Sequence, residues 1–157
     1  MAIEIGQKAP HFTLFDSEKN KINLAAYKGK NVVLLFFPLA FTGVCTAELC
    51  NVRDNIADYN GTNAQVLGIS VDSVFVLDKY KKEENLNFLL LSDFNKAAAK
   101  AYDVLYDVFP AFEMQGVSKR AAFVIDKDGV IRYAEICATP GEQPNFEEIR
   151  KVLTSLN

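Results

Sequence analysis

The chain has 157 residues, of which half are hydrophobic and 24% are charged, a composition typical of a globular protein with one core. Its net charge of −3 excludes a broad basic surface, so nucleic acid is not an expected partner. The start lacks a secretory signal, and the longest apolar run, 32–41, is too short to cross a bilayer, so we expect one cytoplasmic domain over residues 1–157 without membrane association.

Apolar runs and turn residues predict strands and helices that alternate along the chain. An apolar run at 12–15, a polar turn at 16–20 and a second run at 22–27 predict an N-terminal hairpin. The next predicted elements, in chain order, are a buried strand 31–37, a helix 43–59 ended by Asn60 and Gly61, a strand 65–71 and a helix from Ser73 to 84. They are followed by a strand 88–91, a helix 96–102, a hairpin of 121–125 and 130–136, and a helix 146–156. This order predicts a thioredoxin-like α/β fold, with a central mixed sheet flanked by helices and an N-terminal hairpin extension.

A cysteine follows the predicted buried strand at a notable spacing. Pro38, Thr42 and Cys45 form the pattern Pro-x-x-x-Thr-x-x-Cys. At a strand-to-helix junction, backbone N–H groups and the positive end of the helix dipole are directed at the cysteine sulfur. Both favour the thiolate, which is the reactive form of cysteine. The pattern therefore predicts a redox enzyme with Cys45 as its nucleophile.

The other cysteines and the histidine argue against structural disulfides and metal. Three cysteines, Cys45, Cys50 and Cys137, are too few for a disulfide scaffold. The only histidine, His11, is far from them in sequence, whereas a metal site needs several converging ligands. We expect reactive thiols, with no metal and no cofactor.

A thiolate that attacks a peroxide needs hydrogen-bond donors near both oxygens, because negative charge moves from sulfur to the leaving oxygen. The amides of Val44 and Cys45 and the hydroxyl of Thr42 are candidates. Arg120 is the candidate guanidinium, since it begins an apolar run, 120–126, where an unpaired charge would be costly.

Two further residues are candidates for supporting roles. Pro38 would cover the sulfur, so that only small oxidants reach it. Glu48, three residues beyond Cys45 on the same helix face, would hold Arg120 in place. Ordinary structural roles remain open: Thr42 as a helix N-cap, Pro38 as a strand end, and Glu48 and Arg120 as solvated or surface-paired charges.

The run 38–45 resembles the active-site motif of the peroxiredoxins, and the resemblance extends from the opening 6–12 segment to the terminal helix. It implies a thioredoxin fold and a peroxidatic Cys45 surrounded by Pro38, Thr42 and Arg120. It also implies reduction of hydrogen peroxide or alkyl hydroperoxides, recycling by an external thiol system and, often, a dimer. The chain lacks the C-terminal Val-Cys-Pro motif of the typical two-cysteine branch. It is similar instead to the bacterioferritin-comigratory-protein and alkyl hydroperoxide reductase E branches.

Cys50 is the candidate resolving cysteine. Residues five apart on a helix rise about 7.5 Å and point about 140° apart, so their Cα atoms lie roughly 8–9 Å apart, outside disulfide range. A Cys45–Cys50 disulfide therefore requires the start of the helix to unwind. The alternative is a packed Cys50, with an external thiol of the thioredoxin, glutaredoxin or low-molecular-weight type reducing the sulfenic acid directly. Cys137 is predicted to be structural.

Four large side chains crowd an irregular segment that contains Pro110 and Gly116; they are Tyr106, Phe109, Phe112 and Met114. Such a loop indicates a lid over the site or a partner surface, and we expect both roles, the second in a homodimer.

Two other functions remain alternatives at this point. A thioredoxin-type disulfide reductase needs Cys-x-x-Cys, whereas four residues separate Cys45 from Cys50. A non-catalytic binding or holdase domain would keep its cysteines for packing alone.

Overall fold

A computed structural model describes residues 2–157, and in that range seven strands form one sheet in the order β2-β1-β5-β4-β3-β6-β7. The strands are β1 (Thr13–Asp16), β2 (Lys21–Asn23), β3 (Asn31–Phe36), β4 (Ala64–Ser70), β5 (Leu89–Ser92), β6 (Ala121–Ile125) and β7 (Ile131–Ile136). The helices are α1 (Gly43–Asp54), α2 (Ile56–Gly61), α3 (Val74–Glu83), α4 (Ala97–Ala101) and α5 (Phe146–Ser155). None of these helices has the length and apolar character that a bilayer crossing requires.

The sheet is mixed, as predicted. β3, β4 and β5 run parallel, while β1 and β6 pair antiparallel with β5 and β3. The N-terminal hairpin of β1 and β2 extends the sheet beyond β5, and the hairpin of β6 and β7 forms the opposite edge. The predicted central mixed sheet with helices and an N-terminal hairpin is confirmed.

The alternation of side chains along β3 builds two cores, one on each face of the sheet. Val33 and Leu35 point into a cluster that contains residues of α1, α3 and α5. Leu34 and Phe36 point to the other face, where α4 packs. Because successive strand residues face opposite ways, a run that is apolar throughout is what a strand covered on both faces requires. Each such side chain stabilises the fold by about 1.5–3 kcal/mol.

Two predicted elements differ from the structure. The helix predicted over 43–59 is two helices, because Asn55 leaves the helical conformation and its side-chain amide donates to the Asn51 carbonyl at 2.8 Å. The second arm of the N-terminal hairpin is only three residues long. It turns into a 3₁₀ helix, Leu24–Tyr27, because the Asn23 carboxamide oxygen accepts from the Ala25 N–H.

The pairing of β3 with β6 positions the candidate site. Phe36 lies opposite Ala121, so the end of β3 and the start of β6 lie at the same edge of the sheet. Antiparallel pairing thereby brings Arg120 beside the loop that leads from β3 into α1, although the two are far apart in sequence.

Candidate active site

Cys45, Glu48 and Arg120 form a buried cluster at the start of α1. Arg120 Nη1 donates to Cys45 Sγ at 3.2 Å and to Glu48 Oε1 at 2.6 Å. The three residues are 1%, 0% and 2% exposed, respectively. The structure thus brings together three of the residues singled out in the sequence, and it places a permanent positive charge against the sulfur.

Glu48 lies one helical turn beyond Cys45, and only one of its two oxygens is paired. Burial raises the pKa of Glu48 to about 7, although the charge of Arg120 and its hydrogen bond act in the opposite direction. Oε2 has no hydrogen-bond partner among the described residues, and a buried anion with an unpaired oxygen is costly. Burial similarly disfavours the charged form of Arg120, yet Glu48 and Cys45 raise its pKa above the ordinary arginine value.

Arg120 is held by a third contact, which no side-chain pattern predicts. Its Nη2 donates to the main-chain carbonyl of Pro140 at 2.9 Å. Every residue has a main-chain carbonyl, so the residue type at position 140 does not indicate this contact. Pro140 belongs to the segment that follows β7. With one nitrogen on Glu48 and Cys45 and the other on Pro140, the guanidinium is fixed in orientation.

The loop 38–42 lines the same pocket as Cys45, and Thr42 does not cap the helix through its side chain. Thr42 occupies the N-cap position, but its Oγ1 donates to the Leu39 carbonyl at 2.7 Å. The first helical bond runs from Thr46 N–H to the Thr42 carbonyl. The amides of Val44 and Cys45 therefore lie in the first turn, whose N–H groups have no carbonyl within the helix.

Asp72 anchors this loop from the end of β4. Its Oδ2 accepts from the Ala40 N–H at 2.8 Å and from the Ser70 hydroxyl at 2.7 Å. Phe41 takes a left-handed φ of 65° and places its ring 4.9 Å from that of Tyr80. The sequence analysis missed Asp72; its position just after a central parallel strand was the available signal, since functional groups gather at that end of a sheet.

A pocket of about 290 Å³ opens onto Cys45. Its walls come from the 38–45 loop, the predicted aromatic segment and the segment after β7, and they are mostly apolar: Pro38, Leu39, Thr42, Gly43, Val44, Phe109, Phe112, Met114, Arg120, Pro140 and Gly141. Phe109 N–H donates to the Met114 carbonyl at 2.8 Å, which closes the aromatic segment into a loop. Of the four crowded side chains in that segment, Tyr106 is the one that does not line this pocket.

Cys50 lies on α1 away from this pocket. It is half-buried, and its thiol donates to Glu84 Oε2 at 3.6 Å. Burial raises the pKa of Cys50; Arg53 opposes this shift and Glu84 reinforces it. In this structure Cys45, Cys50 and Cys137 are all free thiols.

Comparisons with known proteins assign the chain to a family. Residues 5–134 match the model of the AhpC/TSA family. The chain belongs to that family. It is 38% identical over 143 residues to alkyl hydroperoxide reductase E of Mycobacterium tuberculosis, covering 89% of each protein. It is 40% identical over 131 residues to peroxiredoxin Bcp of Bacillus subtilis, covering 82% of each.

A solved structure gives the same assignment. The crystal structure of peroxidoxin BcpB from Mycobacterium tuberculosis superposes with a TM-score of 0.86 at 25% identity and covers 99% of both chains. The protein is therefore a peroxiredoxin with a thioredoxin-like fold, and its activity is that of a thiol peroxidase. This assignment to the peroxiredoxins decides against the two alternative functions, a thioredoxin-type disulfide reductase and a non-catalytic binding domain.

Cys137 lies beside the cluster of this peroxiredoxin but outside its pocket. It follows β7, and its N–H donates to the Arg120 carbonyl at 2.9 Å. Burial raises the pKa of Cys137 to about 11, and the neighbouring carboxylates of Glu135 and Glu48 contribute further. A buried thiol of this kind is protonated at neutral pH and is a poor nucleophile, and the structural role of Cys137 stays a prediction.

Proposed function

We propose that the protein reduces hydrogen peroxide and organic hydroperoxides through Cys45, with Cys50 as the resolving cysteine and an external thiol as the reductant. The observation that carries the proposal is the 3.2 Å contact between Arg120 Nη1 and Cys45 Sγ at the floor of an apolar pocket. The positive charge of the guanidinium favours the thiolate form of Cys45 over the thiol, and the pocket that Cys45 lines has room for a small oxidant.

In the first step, the Cys45 thiolate attacks one peroxide oxygen, the O–O bond breaks, and the sulfur becomes a sulfenic acid. The other oxygen leaves with the negative charge and is protonated to water or an alcohol. Arg120 and the amides of Val44 and Cys45 would stabilise that charge, because they are already oriented before reaction. Thr42 would bind the peroxide through its hydroxyl, and Pro38 would exclude water from the sulfur.

The pocket walls support organic substrates in addition to hydrogen peroxide. Phe109, Phe112 and Met114 offer apolar contact for the organic part of a hydroperoxide. One of the relatives is named alkyl hydroperoxide reductase E, which agrees with this substrate class.

In the second step, α1 unwinds at its start and Cys50 attacks the Cys45 sulfenic acid to form a disulfide. Regular helix geometry keeps the two sulfurs apart, so this movement is obligatory. A thioredoxin, a glutaredoxin or a low-molecular-weight thiol would then reduce the disulfide.

Peroxide kinetics test the first step. Competition with a haem peroxidase for hydrogen peroxide gives the rate of Cys45 oxidation, which Cys45→Ser should abolish. Cys137→Ser is the matched control and should keep the wild-type rate. A wild-type rate no higher than that of a free thiol would contradict the proposal.

Mass spectrometry after one equivalent of peroxide tests resolution. We expect a Cys45–Cys50 disulfide in the wild type and a persistent sulfenic acid in Cys50→Ser. A stable sulfenic acid in the wild type, unchanged in Cys50→Ser, would instead establish direct reduction by an external thiol. NADPH-coupled assays with each of the three reductant classes would then identify the recycling system.

A further inference from the structure

The Cys50 thiol contacts a carboxylate from a neighbouring helix. The Cys50 thiol donates to Glu84 Oε2 at 3.6 Å, and Glu84 is the C-cap residue of α3. The other ionisable groups that interact electrostatically with Cys50 are Arg53 and Asp54 of α1 and Tyr80 of α3. Of these groups, Glu84 is the one to which the thiol donates a hydrogen bond.

The end of α1 that carries Cys50 is fastened to the turn after α3. Arg53 Nη1 donates to the main-chain carbonyl of Glu84 at 2.6 Å, and Asn87 Nδ2 donates to the Arg53 carbonyl at 3.2 Å. These bonds do not involve the beginning of the helix, so they can persist while that part unwinds.

Cys45, in contrast, is held through its sulfur. The Arg120 contact to Cys45 Sγ is strongest when the sulfur is an anion, and oxidation to a sulfenic acid removes that charge. Oxidation therefore loosens Cys45 while the anchors of Cys50 remain. In the proposed resolving step, Cys45 would therefore move toward Cys50, and Cys50 would stay beside Glu84.

We infer that Glu84 is the general base of the resolving step. This inference rests on the proposed role of Cys50. As the Cys50 sulfur attacks the Cys45 sulfenic acid, an S–S bond forms, the S–O bond breaks, and the thiol proton passes to the Glu84 carboxylate. The departing hydroxide takes up a proton from solvent to become water, and the protonated Glu84 then returns its proton to solvent. The Cys45 sulfur is reduced and the Cys50 sulfur is oxidised, so no further redox partner is needed.

A base is needed because Cys50 rests as a thiol. Its burial and the nearby carboxylate both disfavour the thiolate, whereas only a deprotonating thiol is an effective nucleophile. A carboxylate in hydrogen-bond contact resolves this conflict, since it holds the thiol protonated at rest and accepts the proton as the S–S bond develops.

The test compares Glu84→Gln with Glu83→Gln, which removes the same charge from the adjacent, exposed position. Each protein is mixed with one equivalent of hydrogen peroxide, quenched with an alkylating agent and analysed by mass spectrometry over time. We expect disulfide formation about 10²-fold slower in Glu84→Gln at pH 7, with the deficit shrinking as pH rises and hydroxide replaces the base. Glu83→Gln should match the wild type, and Glu84→Asp should recover part of the rate.

A rate in Glu84→Gln equal to or faster than that of the wild type would overturn the inference. The faster outcome would mean that Glu84 only suppresses the Cys50 thiolate. If the wild type forms no Cys45–Cys50 disulfide, the proposed resolution and this inference fail together. If the wild type forms it and Glu84→Gln is equally fast, the inference alone fails.

Discussion

At the scale of single residues, Arg120 joins three separate segments of the chain and also contacts the candidate nucleophile. Its guanidinium is buried at the start of β6 and contacts the sulfur, a carboxylate and a backbone carbonyl. A buried charge is costly unless it is paired, and these partners pair both terminal nitrogens, whereas the buried Nε has no hydrogen-bond partner among the described residues. The same contacts aim the positive charge at Cys45.

Replacing Arg120 with lysine should lower the second-order rate of Cys45 oxidation by about 10²–10³-fold, because an ammonium cannot reproduce the planar, multiply bonded fork. Competition kinetics with hydrogen peroxide measures this rate. Arg132→Lys is the control, since Arg132 lies on the neighbouring β7 and pairs with Asp126 at 2.6 Å, away from the pocket. Equal rates in Arg120→Lys and the wild type would remove Arg120 from the proposed chemistry.

The raised pKa of Glu48 predicts that the stability of the protein depends on pH. Its pKa is about 7 in the folded protein against 4.5 in its ordinary environment, so between these values the native state holds a proton that the unfolded chain has released. The free energy of unfolding should therefore fall as pH rises through this window. Urea unfolding from about pH 4.5 to 7.5 measures the slope, and Glu48→Gln should flatten it. Parallel slopes in the two proteins would show that Glu48 does not titrate in this range.

At the scale of elements, α1 has two ends with different attachments. Cys45 in the first turn and Glu48 in the second are bonded to Arg120, which precedes β6, whereas the last turn is bonded to the segment after α3 through Arg53. The proposed disulfide needs the first turn to open and the last turn to hold. Helix ends open at lower free energy than helix centres, so this division suits the proposed mechanism.

Gly43→Ala should slow disulfide formation about 2–5-fold, because alanine stabilises a helix by about 0.5–1 kcal/mol relative to glycine. A Cβ at Gly43 meets nothing within 4 Å, so the substitution adds no clash. Gly61→Ala, at the equally open end of α2, is the control and should leave the rate unchanged. Time-resolved alkylation measures the rate after Cys45 is oxidised. A Gly43→Ala rate as fast as the wild-type rate would indicate that unwinding does not limit resolution.

At the scale of the whole molecule, the aromatic loop reaches beyond the pocket. Phe112 lines the pocket yet is 90% exposed, and its φ of 59° is left-handed. Phe41, in the loop 38–42, is half-exposed. Large aromatic side chains left in solvent around a functional site mark a surface that a partner covers, which is the basis for expecting a homodimer.

We expect sedimentation equilibrium to show a dimer at micromolar concentration and Phe112→Ser to shift it toward monomer, because the substitution removes apolar contact area. Phe15→Ser, at the exposed face of β1, is the matched control and should keep the wild-type mass. A wild-type monomer at that concentration would contradict the expectation.

Local sequence predicted the strands and most of the helices, and it singled out Cys45 as the candidate nucleophile. The uninterrupted apolar run of β3 predicts a strand covered on both faces, and the Pro38, Thr42 and Cys45 spacing predicts a reactive thiol at a strand-to-helix junction. The position of Glu48 beside Cys45 was also predictable from the sequence, because residues three apart on a helix lie about one turn apart on the same face. These features depend on residues close together in the chain.

The tertiary structure alone decided how the sulfur is surrounded. The contact of Arg120 with Cys45 depends on the antiparallel pairing of β3 with β6, and the Pro140 carbonyl and the Asp72 anchor arrive from other segments. The break at Asn55 and the Glu84 partner of Cys50 likewise depend on which hydrogen bonds form once the chain has folded. Hydrogen bonds between distant segments act over a few ångströms of space, and sequence spacing carries no direct measure of that distance.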